Sequence, residues 1–440
     1  MSESNVNKLA SSPLRQKMLT PRPVLSCSES GGESSDGSDE LFSAEGDMLD
    51  RYGYKIPPKL LKQYLEWLEE TKNENAARVE AFAHILYSIG QPYFDLDASE
   101  LFREGIPPNM RRTMYLQVTG VGNTRARNPT HYAKLLVRCS ESKTTDREQI
   151  AKDITRTFGN NAKLSNEASQ RKLSNILNAY ALHNTHVGYS QGMSFIVLGL
   201  LLLDFDEEEA FWMLDYIVGM LPDCYDRSLL GVRADVEVLD YYIRAKMPRL
   251  SAFFLRNYID VEMHAVPFFM CLYVGYLPYE TLFRLWDRIM FSGPLELFRG
   301  ALKLYYAVEE QVLKLDGLDL DVIVNGLIGA HLNLFDADAV FGRMPGTQKL
   351  DAGQLALRRM RTRERMRTAS VPKVGSPRKS SLRLSAGNFD TAAAAVTNTT
   401  FNIDDDGEGE SGEGNEKDSE DDSDTILDVE DINERTGDSL

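Results

Sequence analysis

The chain has 440 residues, and 42% of them are hydrophobic, which is enough to form the core of one large domain or two ordinary ones. The formal net charge is −17, but residues 401–440 alone hold 17 Asp and Glu against Lys417 and Arg435, a net of −15. The rest of the chain is therefore only mildly acidic. A nucleic-acid partner, which requires a basic face, is not expected.

The cysteines and the apolar segments indicate the cellular compartment of the protein. Cys27, Cys139, Cys224 and Cys271 are widely spaced and form no C-x-x-C pair, which favours reduced thiols over a disulfide or zinc framework. The N-terminus lacks the apolar region of a secretory signal. The longest strongly apolar run, 195–203, has nine residues, whereas a membrane helix needs about 20. These features predict a cytoplasmic protein without a transmembrane segment.

The amino-acid composition of the first half of the chain changes near residue 46. Residues 1–45 are rich in Ser, Gly and Glu and are expected to be a disordered tail. Residues 46–98 are interpreted as a helical lead-in, because a stripe of apolar residues follows two prolines: Leu61, Tyr64, Leu65 and Leu68. That stripe needs a partner, so the lead-in is expected to pack on the core. Helical periodicity continues to about residue 345 and predicts an all-α fold.

The C-terminal segments are dominated by charge. Residues 346–400 are interpreted as a basic, Ser-rich linker, since 358–383 holds ten Arg and Lys against Glu364. A solvated linker is the ordinary interpretation, and electrostatic contact with an anionic membrane is the alternative, with Ser370 and Ser376 as candidate phosphorylation switches. Residues 401–440 are expected to be a disordered acidic tail. Deletion of 346–440 is expected to leave the activity of the domain intact.

The segment VGYSQGMSF, residues 187–195, contains G-x-S-x-G around Ser190. A nucleophile elbow requires a buried strand before the serine, but the preceding LNAYALHNTHV indicates a helix end followed by a polar turn. A serine hydrolase is therefore disfavoured. His183 and His186 occur without H-E-x-x-H and favour turn or capping roles over a metal site, and no phosphate-binding G-x-x-x-x-G-K-[ST] is present.

A second segment, TTDREQIAKDITRTFGNN, predicts a helix over about 147–158. Asp146 and Gln149 have the spacing of a capping box, and Gly159 follows as a stop signal. On this helix Arg156 lies about 120° from the inward-facing Ile150, and Asp153 lies one turn before Arg156. Taken alone, such an arginine is typical of a surface ion pair.

Four ordered segments together resemble the TBC family of GTPase-activating proteins for Rab GTPases. I-x-x-D-x-x-R at 150–156 is followed by Y-x-Q at 189–191. The family's opening motif is similar to residues 103–120, and its R-L-W-D segment is similar to residues 277–304. The TBC domain is accordingly assigned to 99–345.

The resemblance implies an all-α TBC domain that accelerates GTP hydrolysis by a Rab GTPase in its GTP form and regulates membrane traffic. Arg156 would be the arginine finger and Gln191 the glutamine finger, both inserted in trans. GTP and Mg²⁺ would be bound by the GTPase, so no cofactor, metal or nucleotide site of its own is expected, and the chain would be an activator rather than an enzyme. The supporting residues implied around the fingers are Ile150, Asp153, Gly188, Tyr189, Gly192 and Met193. The residues implied to be architectural are Gly105, Pro107, Arg111, Arg284, Trp286 and Asp287.

Two positions depart from the family pattern. Tyr115 stands where the family usually has Trp, and Ser194 replaces an Asn that often follows Q-G-M. Neither departure alters a finger, so catalytic competence is expected. The alternative is an inactive effector or scaffold that binds an active Rab, and a third role is recruitment through the tails.

Overall fold

The computed structural model describes residues 48–88, 98–141, 145–159, 161–221, 224–226, 228–342 and 350–370. Within these ranges the chain is helical, and the only strand-like pairing is an isolated bridge between Leu49 and Lys55. The predicted all-α fold is confirmed. The expectations for residues 1–45 and 401–440 lie outside the described residues.

The first group of helices comprises α1 (Pro58–Ser88), α2 (Ala98–Glu104), α3 (Arg111–Val118), α4 (Val121–Arg127), α5 (His131–Glu141), α6 (Thr145–Thr157), α7 (Glu167–His183), α8 (Met193–Leu202) and α9 (Glu207–Met220). Helix α7 packs against α5, α6, α8 and α9. Every side chain of α8 from Met193 to Leu201 is buried. A helix that is apolar all round must lie inside the protein, and α8 does.

The second group comprises α10 (Leu230–Lys246), α11 (Pro248–Arg256), α12 (Glu262–Met270), α13 (Tyr279–Ser292), α14 (Leu295–Leu313), α15 (Leu320–Leu332), α16 (Ala337–Gly342) and α17 (Ala352–Ser370). Helix α14 packs against α10, α11, α12, α13, α15 and α16. Helix α13 also packs on α2 and α3, so it joins the two groups. None of the helices in the described ranges is both long and apolar enough for a membrane crossing.

The lead-in helix α1 packs on the core, and of the predicted stripe only Leu65 lies on the exposed side. Tyr64 and Thr71 are buried. The ring of Trp67 packs edge-on against that of Phe335, with 6.1 Å between the ring centroids. Leu65, which the periodicity placed on the inner face, is 40% exposed. The buried face is centred on Tyr64 and Thr71, and Leu65 lies about 100° away from Tyr64 on the helix.

The basic segment differs from the predicted linker, because its first part is the helix α17 docked on α10. Arg359 donates from Nε and Nη2 to the two carboxylate oxygens of Asp235, each at 2.7 Å, and Asp235 is fully buried. Arg363 lies 3.7 Å from the same carboxylate, and Leu355 is 4% exposed. The sequence shows the arginines but not the buried carboxylate, which lies more than a hundred residues earlier in the chain.

Candidate functional site

The helix α6 places three of the predicted residues in three different environments. Ile150 is completely buried, the side chain of Asp153 is 2% exposed, and that of Arg156 is 24% exposed. The helix ends at Thr157, and Gly159 follows in the left-handed region with φ +53°. Ile150 therefore anchors α6, while the guanidinium of Arg156 stays accessible from the surface.

Asp153 joins the arginine to the loop that carries the glutamine. Its Oδ1 lies 2.6 Å from Nη2 of Arg156, and its Oδ2 accepts a 2.6 Å hydrogen bond from the hydroxyl of Tyr189. Gln149 also donates to Oδ1 at 3.1 Å. Burial raises the pKa of Tyr189 well above its ordinary value, and the charge of Asp153 raises it further, so this hydroxyl stays protonated and donates. The structure thus brings Arg156, Asp153 and Tyr189 into one cluster.

The contacts of Asp146 differ from those that a capping box would give it. It lies in the first turn of α6, and its Oδ2 accepts the backbone N–H of Tyr189 at 3.2 Å. Gln149, the expected second member of the box, instead donates to Asp153. Two carboxylates of α6 therefore hold Tyr189, one at its backbone and one at its hydroxyl. The sequence does not reveal this role, because the spacing of Asp146 and Gln149 matches a local helix cap.

Two glycines fix the path of the loop between α7 and α8. Gly188 has φ +67°, and a Cβ placed on it would lie 2.9 Å from Oδ2 of Asp146. Gly192 has φ +106°, and a Cβ there would lie 2.9 Å from the carbonyl oxygen of Met270. Positive φ and close contacts both favour glycine. The loop is consequently pinned between α6 on one side and the end of α12 on the other.

The residues between these glycines differ in what they contact. Gln191 is half-buried, in the turn just before α8 begins at Met193, whose side chain is fully buried. The backbone N–H of Ser190 points to the sulfur of Met193 at 3.4 Å. Ser190 follows the helix α7 and a turn, not a strand, so the strained strand-to-helix turn of a hydrolase is not formed here.

The histidines near this loop contact one another and an aspartate. Nδ1 of His183 lies 2.9 Å from Nε2 of His131, and its Nε2 lies 3.4 Å from Asp215. His186 is exposed in the turn. In the part of the chain that the structure describes, no group of three or more His, Cys, Asp or Glu residues is arranged to hold a metal ion.

The predicted architectural residues meet at a buried carboxylate. Oδ2 of Asp287 accepts the backbone N–H of Ile106 at 2.9 Å and Nη2 of Arg111 at 3.2 Å, while Oδ1 accepts Nε of Arg111 at 3.1 Å. Tyr115 donates its hydroxyl to Oδ1 at 2.7 Å. Asp287 and Tyr115 are fully buried, and Arg111 is 3% exposed. The opening segment and the R-L-W-D segment are therefore joined through one charge network.

The remaining motif residues pack around the same junction. Arg284 forms an ion pair with Asp338, and a Cβ on Gly105, which has φ +103°, would collide with the Arg284 side chain. Trp286 donates Nε1–H to the carbonyl of Leu272 at 2.9 Å. Pro107 is buried just before a 3₁₀ turn at Pro108–Met110. These contacts join the opening segment to the helix that carries R-L-W-D and to its neighbours.

The Tyr115 departure from the family pattern has a structural consequence beyond packing. Replacing Tyr115 with Phe removes a donor from the buried Asp287, so we expect the free energy of unfolding to fall by about 1.5–3 kcal/mol. Urea unfolding measures this change. Tyr258→Phe is the matched control, because Tyr258 is 89% exposed. A loss no larger than that of the control would show that the hydroxyl does not support Asp287.

The all-helical fold and the cluster of Arg156, Asp153 and Tyr189 fit a TBC-type domain, and comparisons with known proteins agree. The family model of the Rab-GTPase-TBC domain matches residues 109–313. Growth hormone-regulated TBC protein 1 of Homo sapiens is 38% identical over 278 residues, covering 60% of this chain and 80% of that protein. The protein of the same name from Xenopus laevis is 31% identical over 271 residues, covering 60% and 79%.

A solved structure gives the same result for the fold. The Chlamydomonas flagellar RabGAP TBC domain superposes with a TM-score of 0.59 at 28% identity, covering 67% of this chain and 98% of that chain. The chain belongs to the TBC domain family of Rab GTPase-activating proteins. The resemblance based on four short segments is thereby confirmed.

Proposed function

We propose that this protein accelerates GTP hydrolysis by a Rab GTPase, to which it supplies Arg156 and Gln191 in trans. The contact that carries the proposal is the shared carboxylate of Asp153, which holds Arg156 at 2.6 Å and Tyr189 at 2.6 Å. Tyr189 is two residues before Gln191, so one buried carboxylate contacts both Arg156 and the loop that carries Gln191. Membrane traffic is the process that such an activity would regulate.

The two side chains match the needs of phosphoryl transfer. The transition state spreads negative charge over the γ-phosphoryl oxygens, and a guanidinium can stabilise that charge. A water must also be aligned behind the phosphorus, and an amide both donates and accepts hydrogen bonds. GTP and Mg²⁺ would be held by the GTPase, so the chain needs only to position Arg156 and Gln191.

Single-turnover GTP hydrolysis across a panel of purified, GTP-loaded Rabs tests the proposal. Wild-type protein is expected to accelerate one or a few Rabs, and Gln191→Ala to lower that rate by about 10²- to 10³-fold, the effect of losing one well-placed hydrogen-bonding group. Ser190→Ala is the matched neighbour and is expected to keep the rate. Binding of a GTP-loaded Rab without acceleration would instead identify an effector or scaffold.

Asp146 is expected to act as a positioning residue in this reaction. Asp146→Ala releases the backbone of Tyr189 and should lower the maximal rate by about 10- to 100-fold, because small misplacements of a catalytic group are costly. Asp146→Asn keeps an acceptor oxygen and should retain most of the rate. The concentration of activator that gives half-maximal rate should not change. A change in that concentration alone would indicate a contact with the GTPase instead.

Part of the basic segment 358–383 is already occupied by contacts with the domain. Four arginines of the basic segment contact the domain: Arg359 and Arg363 at Asp235, Arg365 at Glu237, and Arg358 over the ring of Tyr241. A peripheral membrane contact through 358–383 would therefore depend on its other basic residues. Ser370 is the last residue of α17, and Ser376 lies outside the described residues. Phosphorylation of both serines stays a prediction.

A further inference from the structure

An open groove lies between α1, α14 and the segment that joins α15 to α16. Its volume is about 680 Å³, and its aromatic lining consists of Trp67, Tyr306 and Phe335. Tyr306 is 44% exposed, and Trp67 and Phe335 are both half-buried. Exposed aromatic surface in a concave site is typical of a place where another chain segment binds.

The charged residues that line the groove all have one sign. They are Glu66, Glu70 and Asp336, and among the residues that the structure describes no Lys or Arg lines the groove. Lys62 lies 3.8 Å from Glu66, but both side chains are more than 60% exposed, and such a pair contributes little. An occupant that complements this groove must carry both apolar and basic side chains.

A smaller recess lies beside the groove and shares Phe335 with it. It has a volume of about 100 Å³ and is lined largely by apolar side chains, among them Leu60, Tyr64 and Leu332. Tyr54 and Ile56, from the segment that precedes α1, also line this recess. The segment that precedes α1 therefore lies beside the groove. The recess offers a place for one apolar side chain.

One segment outside the described residues has the required chemistry. Residues 13–25, PLRQKMLTPRPVL, carry Arg15, Lys17 and Arg22, no acidic residue, and five large apolar side chains: Leu14, Met18, Leu19, Val24 and Leu25. The 22 residues from 26 to 47 connect this segment to Met48, and such a connection reaches up to about 70 Å when extended. The distance therefore does not prevent an intramolecular contact.

Two other segments of the chain fit the groove less well. The acidic tail 401–440 has the same sign of charge as Glu66, Glu70 and Asp336. The basic residues 371–383, VPKVGSPRKSSLR, have the same length as 13–25 but only three apolar side chains other than Pro: Val371, Val374 and Leu382. We propose that residues 13–25 dock in the groove of Trp67, Tyr306 and Phe335, with their basic side chains at Glu66, Glu70 and Asp336.

Photo-crosslinking in the full chain tests this docking. Met18 is replaced by the photoreactive residue p-benzoyl-phenylalanine, and the crosslinked peptides are identified by mass spectrometry. We expect crosslinks within one chain to peptides that contain Trp67, Tyr306 or Phe335. Glu66→Lys with Glu70→Lys should lower their yield about tenfold, because several charge pairs become like-charge contacts. High salt should also lower the yield.

A charge control on the same helix isolates the groove from general effects. Glu69→Lys with Glu80→Lys makes the same change on α1 at exposed residues that do not line the groove, and it should keep the crosslinks. Combining Glu66→Lys and Glu70→Lys with Arg15→Glu and Lys17→Glu should restore them. Thermal unfolding of each variant checks that the fold is retained.

Several results would overturn the proposal. These are no crosslink from position 18 to the groove, crosslinks only between different chains in an isotope-mixed sample, or an equal loss in the Glu69 and Glu80 control. Groove crosslinks from the same photoreactive residue at Val374, and not from position 18, would assign the groove to 371–383 instead. None of these measurements depends on GTPase activation, so they stand apart from the proposed function.

Discussion

Replacing Arg156 with alanine is expected to lower the acceleration of GTP hydrolysis by about 10³- to 10⁵-fold, the contribution of an arginine finger. The reason is that no other group of the cluster carries positive charge: Asp153 is a carboxylate, and Tyr189 is a protonated hydroxyl. The measurement is single-turnover hydrolysis with the Rab that the wild type accelerates most. Asp153 is buried and loses its ionic partner, so some loss of stability is expected. It keeps its hydrogen bonds from Tyr189 and Gln149, and thermal unfolding checks that the fold is retained.

Two further variants show whether the position or only the charge matters. Arg156→Lys keeps the charge but loses the planar fork of the guanidinium, so it should restore only a small part of the rate. Arg171→Ala removes an exposed arginine from α7 and should have no effect. Equal rates for Arg156→Ala and the wild type would refute the arginine-finger role, whatever Gln191→Ala does.

The sequence predicts the local geometry of α6 well and its long-range contacts poorly. The spacing of Ile150, Asp153 and Arg156 sets their faces through the 3.6-residue period, and the structure places them accordingly. The hydrogen bond between Asp153 and Tyr189 joins residues 36 positions apart. Only the family resemblance indicated that these two segments act together, because periodicity carries no information about which helices meet.

Asp146 and Asp235 show why some residues could not be assigned from the sequence. Asp146 has the spacing of a local cap, and its contact with Tyr189 depends on a loop 43 positions later. Asp235 lies in the middle of α10, where an isolated carboxylate is ordinarily expected on the solvent side. It is buried because Arg359 reaches it from 124 positions later. Such pairs become visible only when the packing of the helices is known.

Ending the chain after residue 350 is expected to lower the free energy of unfolding by about 3–6 kcal/mol, because it removes the burial of one leucine side chain, worth about 1.5–3 kcal/mol, and the charged hydrogen bonds to Asp235, worth about 1.5–3 kcal/mol. Asp235 is fully buried and would lose both Arg359 and Arg363. The burial of Leu355, which is 4% exposed, would be lost as well. Urea or thermal unfolding measures the change. A chain that ends after residue 370 is the control and should be as stable as the full chain.

This expectation reverses the sequence-based one, in which removal of 346–440 leaves the activity intact. The family match ends at residue 313, yet the carboxylate of Asp235 inside that match is neutralised by a helix beyond it. A domain is stable by only about 5–15 kcal/mol, so the loss of α17 should lower activity through unfolding rather than through the fingers.

Arg359→Ala should reproduce part of the destabilisation, whereas Arg361→Ala, on the exposed face of α17, should not. If chains ending after 350 and after 370 unfold at the same urea concentration, α17 does not support the domain, and Asp235 must be stabilised by other contacts.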